Sequence, residues 1–209
     1  RDENYDFACL LNDLVKIDGL ERLRISSIEI TEINDRVIDV IRNNEILVDH
    51  MHIPLQSGSD TILKAMNRKY DIVYFIDKIN TLRSIRPDIN ITTDVIVGFP
   101  GETKEEFETT YKFCKKVNFA DLHVFKYSKR DGTLAAKMPS QIVGTIAEER
   151  SKKLIELSEK NMKEYNSEYI GKELEVLFEE KQGDFWTGHT KNYMVVKMKS
   201  ENDLENKVL

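Results

Sequence analysis

Strand-like apolar runs at residues 23–26, 48–53, 89–97 and 121–126 alternate with segments whose apolar side chains recur every three to four positions. That alternation restricts the fold more than any other feature, because strands separated by helices of about 10–15 residues form parallel βα units. The helical stripes are Phe7, Leu10, Leu11, Leu14 and Ile17, then Val37, Ile38 and Ile41, then Tyr74, Phe75, Ile79 and Leu82. Asp18-Gly19 stops the first, Asn34 or Asp35 caps the second, and Asp71 caps the third before Pro87 ends it. Thr103 and Glu106 have capping-box spacing at the start of a helix reaching to about Val117. The predicted fold class is α/β, an incomplete parallel barrel over residues 1–140 with both faces of its sheet covered. Four strands cannot close a barrel, and an eight-unit barrel takes about 250 residues. The chain is therefore expected to be cut from something larger.

A charged amphipathic helix is predicted over residues 144–167, with Ile146, Arg150, Leu154, Leu157 and Met162 among its periodic positions. Beyond Gly171 the texture changes to alternating apolar and polar residues between turn residues, which predicts a small antiparallel barrel or sheet. The expected domains are 1–140, a linking helix at 141–169, and a β domain at 170–209.

The 209 residues are 40% hydrophobic and 33% charged, enough apolar material for a sizeable core. No run approaches the roughly 18 consecutive apolar residues of a membrane span, and RDENYDFACLLND has neither a basic n-region nor a cleavage site. These features predict a cytoplasmic protein with no membrane partner. A net charge of −6 argues against indiscriminate nucleic-acid binding but allows a local basic patch. Cys9 and Cys114 stand in apolar-periodic stretches without clustered ligands, as buried reduced cysteines do.

Three blocks carry candidate chemistry. In His50-Met51-His52-Ile53-Pro54-Leu55-Gln56-Ser57-Gly58-Ser59, the two histidines face one side of a strand. Metal binding there needs a third ligand, and Asp49 points away. A polar rim including Gln56 and Ser57 at the strand's C-terminal end is the alternative, since ligands gather where βα loops emerge. In Thr92-Thr93-Asp94-Val95-Ile96-Val97-Gly98-Phe99-Pro100-Gly101-Glu102-Thr103, Asp94 shares a face with Thr92 and Ile96, which suits a polar barrel interior. Gly98 and Gly101 permit close backbone approach to a flat ligand, or are turn glycines before an ordinary helix.

The third block, Phe125-Lys126-Tyr127-Ser128-Lys129-Arg130-Asp131-Gly132-Thr133, sets cations beside a strand end. Lys126, Lys129 and Arg130, with Arg68 and Lys69, are candidate RNA phosphate contacts, or members of a solvated loop. In the terminal domain, Phe185, Trp186 and Tyr193 beside His189, Lys191 and Lys197 form a candidate stacking surface, or supply that domain's core.

SSIEI at 26–30, HIPLQSGSDTILKAMNRKY at 52–70, TTDVIVGFPGET at 92–103 and FKYSKRDGTLAA at 125–136 together resemble the radical S-adenosylmethionine tRNA methylthiotransferases. GKELEVLFEE and WTGHTKNYMVVKM resemble the TRAM domain that follows the radical domain in that family and contacts tRNA. SSIEI is most like the threonylcarbamoyladenosine branch, with Ile30 where the family form has proline. The resemblance implies a radical-SAM (TIM-like) barrel followed by a TRAM-like β domain. It also implies methylthiolation of C2 of N6-threonylcarbamoyladenosine in tRNA through a 5′-deoxyadenosyl radical. The other activities it leaves open are methylthiolation of isopentenyladenosine in tRNA and of a ribosomal-protein aspartate; a noncatalytic RNA-binding protein is the reading from another class.

Carried over by motif, Ser27, Glu29, Gln56, Ser57, Asp94, Gly98 and Tyr127 are expected to line the S-adenosylmethionine site. Implied partners are the tRNA anticodon arm, an electron donor and a sulfur source. The family's cofactors are S-adenosylmethionine and two 4Fe-4S clusters, one held by a CxxxCxxC motif and one by three upstream cysteines. Neither set stands in this sequence, and clusters are held by cysteine thiolates. This chain is accordingly expected to bind no cluster and to be inactive by itself.

Overall fold

A computed structural model describes residues 5–209 of the chain. Short polar side chains start its helices. Asp6, Asn34, Ser59, Asp71 and Thr103 each accept a hydrogen bond from the backbone N–H three residues on. They open α1 (Phe7–Leu14), α2 (Asp35–Asn43), α3 (Asp60–Ala65), α4 (Ile72–Ile85) and α5 (Lys104–Val117). Each cap satisfies a donor that the helix itself cannot, worth about 1 kcal/mol. The expected capping box at α5 is only half formed. Glu106 accepts from the Ser59 hydroxyl instead of reaching back, which ties the starts of α3 and α5 together.

Three strands, β1 (His50–His52), β2 (Asn90–Val97) and β3 (Asp121–Lys126), pair in parallel in the order β1-β2-β3. The strand expected at 23–26 does not form. That segment pairs only at Leu23, which bridges to Leu47 in the stretch before β1, and the chain next meets β1 at Ile28, whose N–H donates to the His52 carbonyl at 3.1 Å. Pro54 has no N–H and would break the ladder after β1. The Thr93 hydroxyl fills the gap, donating to the Ile53 carbonyl at 2.7 Å and accepting from Leu55 N–H at 2.9 Å. Pairing resumes where Gln56, in the left-handed region at φ 67°, bridges to Val95.

One face of this sheet is dry: Met51, Ile53, Ile91, Val95, Val97 and Leu122 pack in one core with Phe75, Ile79 and Leu82 of α4 and Phe107, Cys114 and Val117 of α5. Tyr74, expected in the α4 stripe, is exposed beside it. The other face carries His50, His52, Asn90, Thr92, Asp94 and His123, and in place of the helical layer expected there it borders an open cleft. Polar side chains on that face have no reason to attract an apolar helix stripe.

After α6 (Leu134–Lys137), α7 (Gly144–Ser167) runs alongside β3. Leu154 and Leu157 join the core, while Ile146 and Met162, expected on the same buried face, are exposed. The helix is held by polar contacts as much as apolar ones. Ser158 accepts from Leu122 N–H at 2.8 Å and donates to Asp121 at 2.6 Å, and Asn161 donates to the Phe119 carbonyl at 2.9 Å. Arg150 forms a buried ion pair with Glu102 and donates to its carbonyl at 2.9 Å. Burial pushes the Glu102 carboxyl above its ordinary range, against the pull of the Gly98 N–H and Arg150. No helix among the described residues is long and apolar enough to cross a membrane.

The second sheet is antiparallel, in the order β6-β5-β4-β7, from β4 (Val176–Gln182), β5 (Phe185–Thr190), β6 (Val195–Lys199) and β7 (Lys207–Val208). Its core is Val176, Phe178, Trp186 and Leu204, with Val196 and Met198 against it. Gly188 is required where β5 crosses β4, because a Cβ there would sit 2.3 Å from the Leu177 carbonyl oxygen.

Arg150→Ala leaves a carboxylate that is 1% exposed without its cation. Breaking a buried pair costs about 3–5 kcal/mol, so urea unfolding is expected to show a loss of that size. A loss below about 1 kcal/mol, typical of a surface pair, would contradict this account of the α7 attachment.

Candidate functional site

The parallel sheet presents two clefts on its polar face, one at each end of the strands. The upper cleft, about 810 Å³, opens at the C-terminal ends of β2 and β3. Gln56, Arg68, Asp94, Ile96, Phe99, Phe125, Lys126, Tyr127 and Arg130 are among its lining residues. Its back wall follows from the turn after β2. Tyr127 N–H donates to the Val97 carbonyl at 2.8 Å, which carries the chain past β3, and its ring meets Phe99 edge-on at 5.3 Å. The buried Tyr127 hydroxyl has no hydrogen-bond partner in the protein. Arg68 crosses the rim to Glu29 at 3.1 Å. Aromatic surface, a guanidinium, a carboxamide and an unsatisfied phenol suit a ligand with a flat ring and a carboxylate.

Of the seven residues expected around a cofactor, Gln56, Asp94 and Tyr127 line this cleft, and Glu29 reaches its edge through Arg68. Ser57, Gly98 and Ser27 are not brought there. Ser57 is fully buried on the helical side, its hydroxyl 3.2 Å from that of Thr110. Gly98, at φ 74°, lies under α7: a Cβ would meet Ala147 Cβ at 2.7 Å, so the turn and the close approach of the helix both call for glycine. Ser27 is exposed and lines neither cleft. Among the basic candidates, Arg68, Lys126 and Arg130 share the cleft mouth, with Lys126 paired to Glu148. Lys69 and Lys129 are exposed outside it.

Asp94 has a more specific role than lining. One of its carboxylate oxygens lies 3.0 Å from His52 Nε2 and 3.4 Å from His123 Nδ1, and the two rings stack with centroids 4.9 Å apart. Sequence reasoning paired His52 with His50 and missed His123. Parity along LHVF gives the face of His123, but only the register Asp94↔His123 brings it opposite the aspartate.

The lower cleft, about 400 Å³, lies at the N-terminal ends of the strands and is closed by the turn between β5 and β6. Tyr193 stacks on His189 at 4.3 Å, lies 4.6 Å from the His50 ring, and carries the Arg24 guanidinium at 4.2 Å. Arg22 donates to the His189 carbonyl at 3.2 Å, and Asn90 donates to the Asn192 carbonyl at 2.8 Å. Burial first, and the Arg24 charge second, hold His50 at about 4, so its imidazole is neutral at pH 7.

These contacts redraw the expected stacking surface. Trp186 is 6% exposed and belongs to the terminal core, because β5 alternation turns it inward. Tyr193 and His189 are engaged with the barrel, and His189 also pairs with Glu179. Lys191 pairs with Glu175 at 3.2 Å. The outer face of β5 and β6 instead sets Phe185 opposite Lys199 and Thr187 opposite Lys197, with Phe185 47% exposed. Lys199, which the sequence reading left out, contacts Asp184 at 3.7 Å.

The thiols do not fit an iron–sulfur cluster. Cys9 lies on α1 with Arg36 Nη2 at 3.1 Å, and Cys114 is fully buried in α5, where burial pushes it up to about 12. Two cysteines on separate helices are not the donor set such a cluster takes.

The profile of the radical SAM superfamily matches residues 2–114. The chain is 46% identical, over 99% of its length, to the threonylcarbamoyladenosine tRNA methylthiotransferase of Bacillus subtilis, covering 47% of that protein. It is 41% identical, over 97% of its length, to the tRNA-2-methylthio-N(6)-dimethylallyladenosine synthase of Desulfitobacterium hafniense, covering 46% of it. The chain thus spans about half the length of the curated relatives it matches. Among solved structures, the radical SAM enzyme coproporphyrinogen III oxidase from Escherichia coli superposes with a TM-score of 0.57 at 17% identity. That match covers 81% of this chain and 46% of the other, and it speaks for the fold alone.

Proposed function

The chain belongs to the radical SAM superfamily, and from that premise we propose that it is part of an enzyme that methylthiolates C2 of N6-threonylcarbamoyladenosine in tRNA. The observation that carries the reading is the 46% identity, over 99% of this chain, to the Bacillus subtilis enzyme of that name. The upper cleft supports it in kind. Bound S-adenosylmethionine supplies the adenosyl and methyl groups of such a reaction. The chain's own residues bind and orient: Phe99 and Phe125 offer apolar faces to a flat base, Gln56 and the Tyr127 hydroxyl offer hydrogen bonds, and Arg68 offers charge to a carboxylate. No step is assigned to the thiols of this chain.

The dimethylallyladenosine reading is favoured by the 41% identity to the Desulfitobacterium hafniense protein. Comparison of tRNA nucleosides from cells with and without the complete gene separates the two. The expected result is loss of the methylthio group from threonylcarbamoyladenosine with the isopentenyl nucleoside unchanged. The reverse pattern would give the activity to the other branch, and no change in either would overturn the reading.

The tRNA partner, through its anticodon arm, is proposed to lie across the cations at the mouth of the upper cleft and the outer face of the terminal sheet, in a cytoplasmic enzyme. At a net charge of −6, affinity rests on a few placed cations and exposed rings, Phe185 on the terminal sheet among them, rather than on a broad basic field. Phe185→Ala removes an aromatic that is 47% exposed, so the fold should survive. One base stack contributes about 1–3 kcal/mol, and tRNA affinity is expected to drop roughly 5- to 150-fold. Lys197→Gln with Lys199→Gln should also flatten the dependence on salt. Wild-type affinity and slope in both variants would remove this face from the interface.

A further inference from the structure

The polar face of the parallel sheet holds a set of side chains of which only Asp94 reaches the upper cleft, the other two lining the lower one. His52 on β1, Asp94 on β2 and His123 on β3 come from three adjacent strands, and one potential donor atom of each lies within 4.8 Å of the others. His52 Nε2 and His123 Nδ1 lie 3.0 and 3.4 Å from the same Asp94 oxygen. Around an ion with bonds of about 2.0–2.2 Å, neighbouring donors sit roughly 3–3.5 Å apart, which the two Asp94 separations match, while the two imidazole nitrogens lie within 4.8 Å of each other.

The second nitrogen of each ring is also partnered. His52 Nδ1 lies 2.9 Å from the Thr92 hydroxyl. His123 Nε2 lies 3.5 Å from the Asp121 carboxylate, itself fixed by Leu122 N–H and the Ser158 hydroxyl. A metal-bound imidazole characteristically donates its other N–H to such a group, which fixes tautomer and ring orientation. His123 stands between two carboxylates, Asp94 at Nδ1 and Asp121 at Nε2. A metal ion at Nδ1 would leave Nε2 to donate to Asp121. The lower cleft, which His52 and His123 line, leaves room for water to complete the coordination.

We propose that His52, Asp94 and His123 form a binding site for a divalent first-row transition ion of the zinc class, with two imidazoles and one carboxylate as ligands and at least one position open to the lower cleft. Two nitrogens and an oxygen suit zinc and its neighbours, whereas magnesium and calcium prefer all-oxygen sites. The donors are nitrogen and oxygen, which separates this site from the thiolate-held clusters of the superfamily. The proposal does not rest on the function assigned to the upper cleft.

Titration of the 209-residue chain with cobalt(II) chloride, a coloured substitute for zinc, tests it. The expected result is one equivalent bound with visible ligand-field bands, no thiolate charge-transfer absorption, and loss of the spectrum on adding zinc. Asp94→Asn and His123→Gln should abolish saturable binding, and Asp121→Asn should weaken it roughly 10- to 100-fold. His123 is half exposed, so its substitution spares the core, and matched circular dichroism checks each variant. If a ligand variant unfolds, Asp121→Asn reads the same site. Absence of stoichiometric cobalt binding, or binding that the variants retain, would overturn the assignment. Either outcome leaves the nucleoside comparison untouched, so failure here and failure of the tRNA reading are separate results.

Discussion

Alternation along β2 divides the molecule into a part that holds it together and a part available to ligands. Every second side chain, Ile91, Val95 and Val97 among them, enters the core beneath α4 and α5. Those between, Asn90, Thr92, Asp94 and Ile96, face the clefts. Parallel neighbours in register face the same way, so β1 adds His50 and His52 to that polar surface and β3 adds Asp121 and His123. A single shift of register would exchange the two sets and place Asp94 among aromatic rings. Pro54 is the point of greatest risk, and the two hydrogen bonds of the Thr93 hydroxyl hold the register through it.

The turn after β2 fixes what the sheet presents at its upper end. The Glu102 carboxylate accepts from Gly98 N–H at 2.9 Å and pairs with Arg150, so one buried side chain shapes the turn and anchors α7 to it. A charge 1% exposed is costly unless neutralised, which makes the helix and the turn mutually dependent. At the lower end, Tyr193 among His50, His189 and Arg24 joins the terminal sheet to the barrel strands. The two ends therefore differ in kind, one lined by aromatics with an unpaired phenol, the other rich in imidazole.

Much of this was legible in the sequence because it is local. Caps at Asn34, Asp71 and Thr103, the span of α7, and the strands at 90–97 and 121–126 follow from short-range chemistry. What was not legible depends on partners distant in the chain. The 23–26 segment has strand-like residues but makes too few backbone pairs to become a strand. Arg150 falls on the periodic stripe of α7, but nothing within the helix shows that Glu102, 48 residues earlier, neutralises it there. Trp186 and Phe185 are adjacent and chemically alike, and only strand parity within a known sheet sends one to the core and the other to solvent. The His52–Asp94–His123 cluster needed the register of three strands, which no single segment encodes.

The proposed seat of the cofactor in the upper cleft is tested most directly by calorimetric titration of the chain with S-adenosylhomocysteine. The account predicts one binding site, weakened roughly 5- to 10-fold by Tyr127→Phe, since a hydrogen bond from an otherwise unsatisfied hydroxyl is worth about 1 kcal/mol. Gln56→Ala should weaken it too. Absence of binding, or binding that both substitutions leave at the parent affinity, would contradict it.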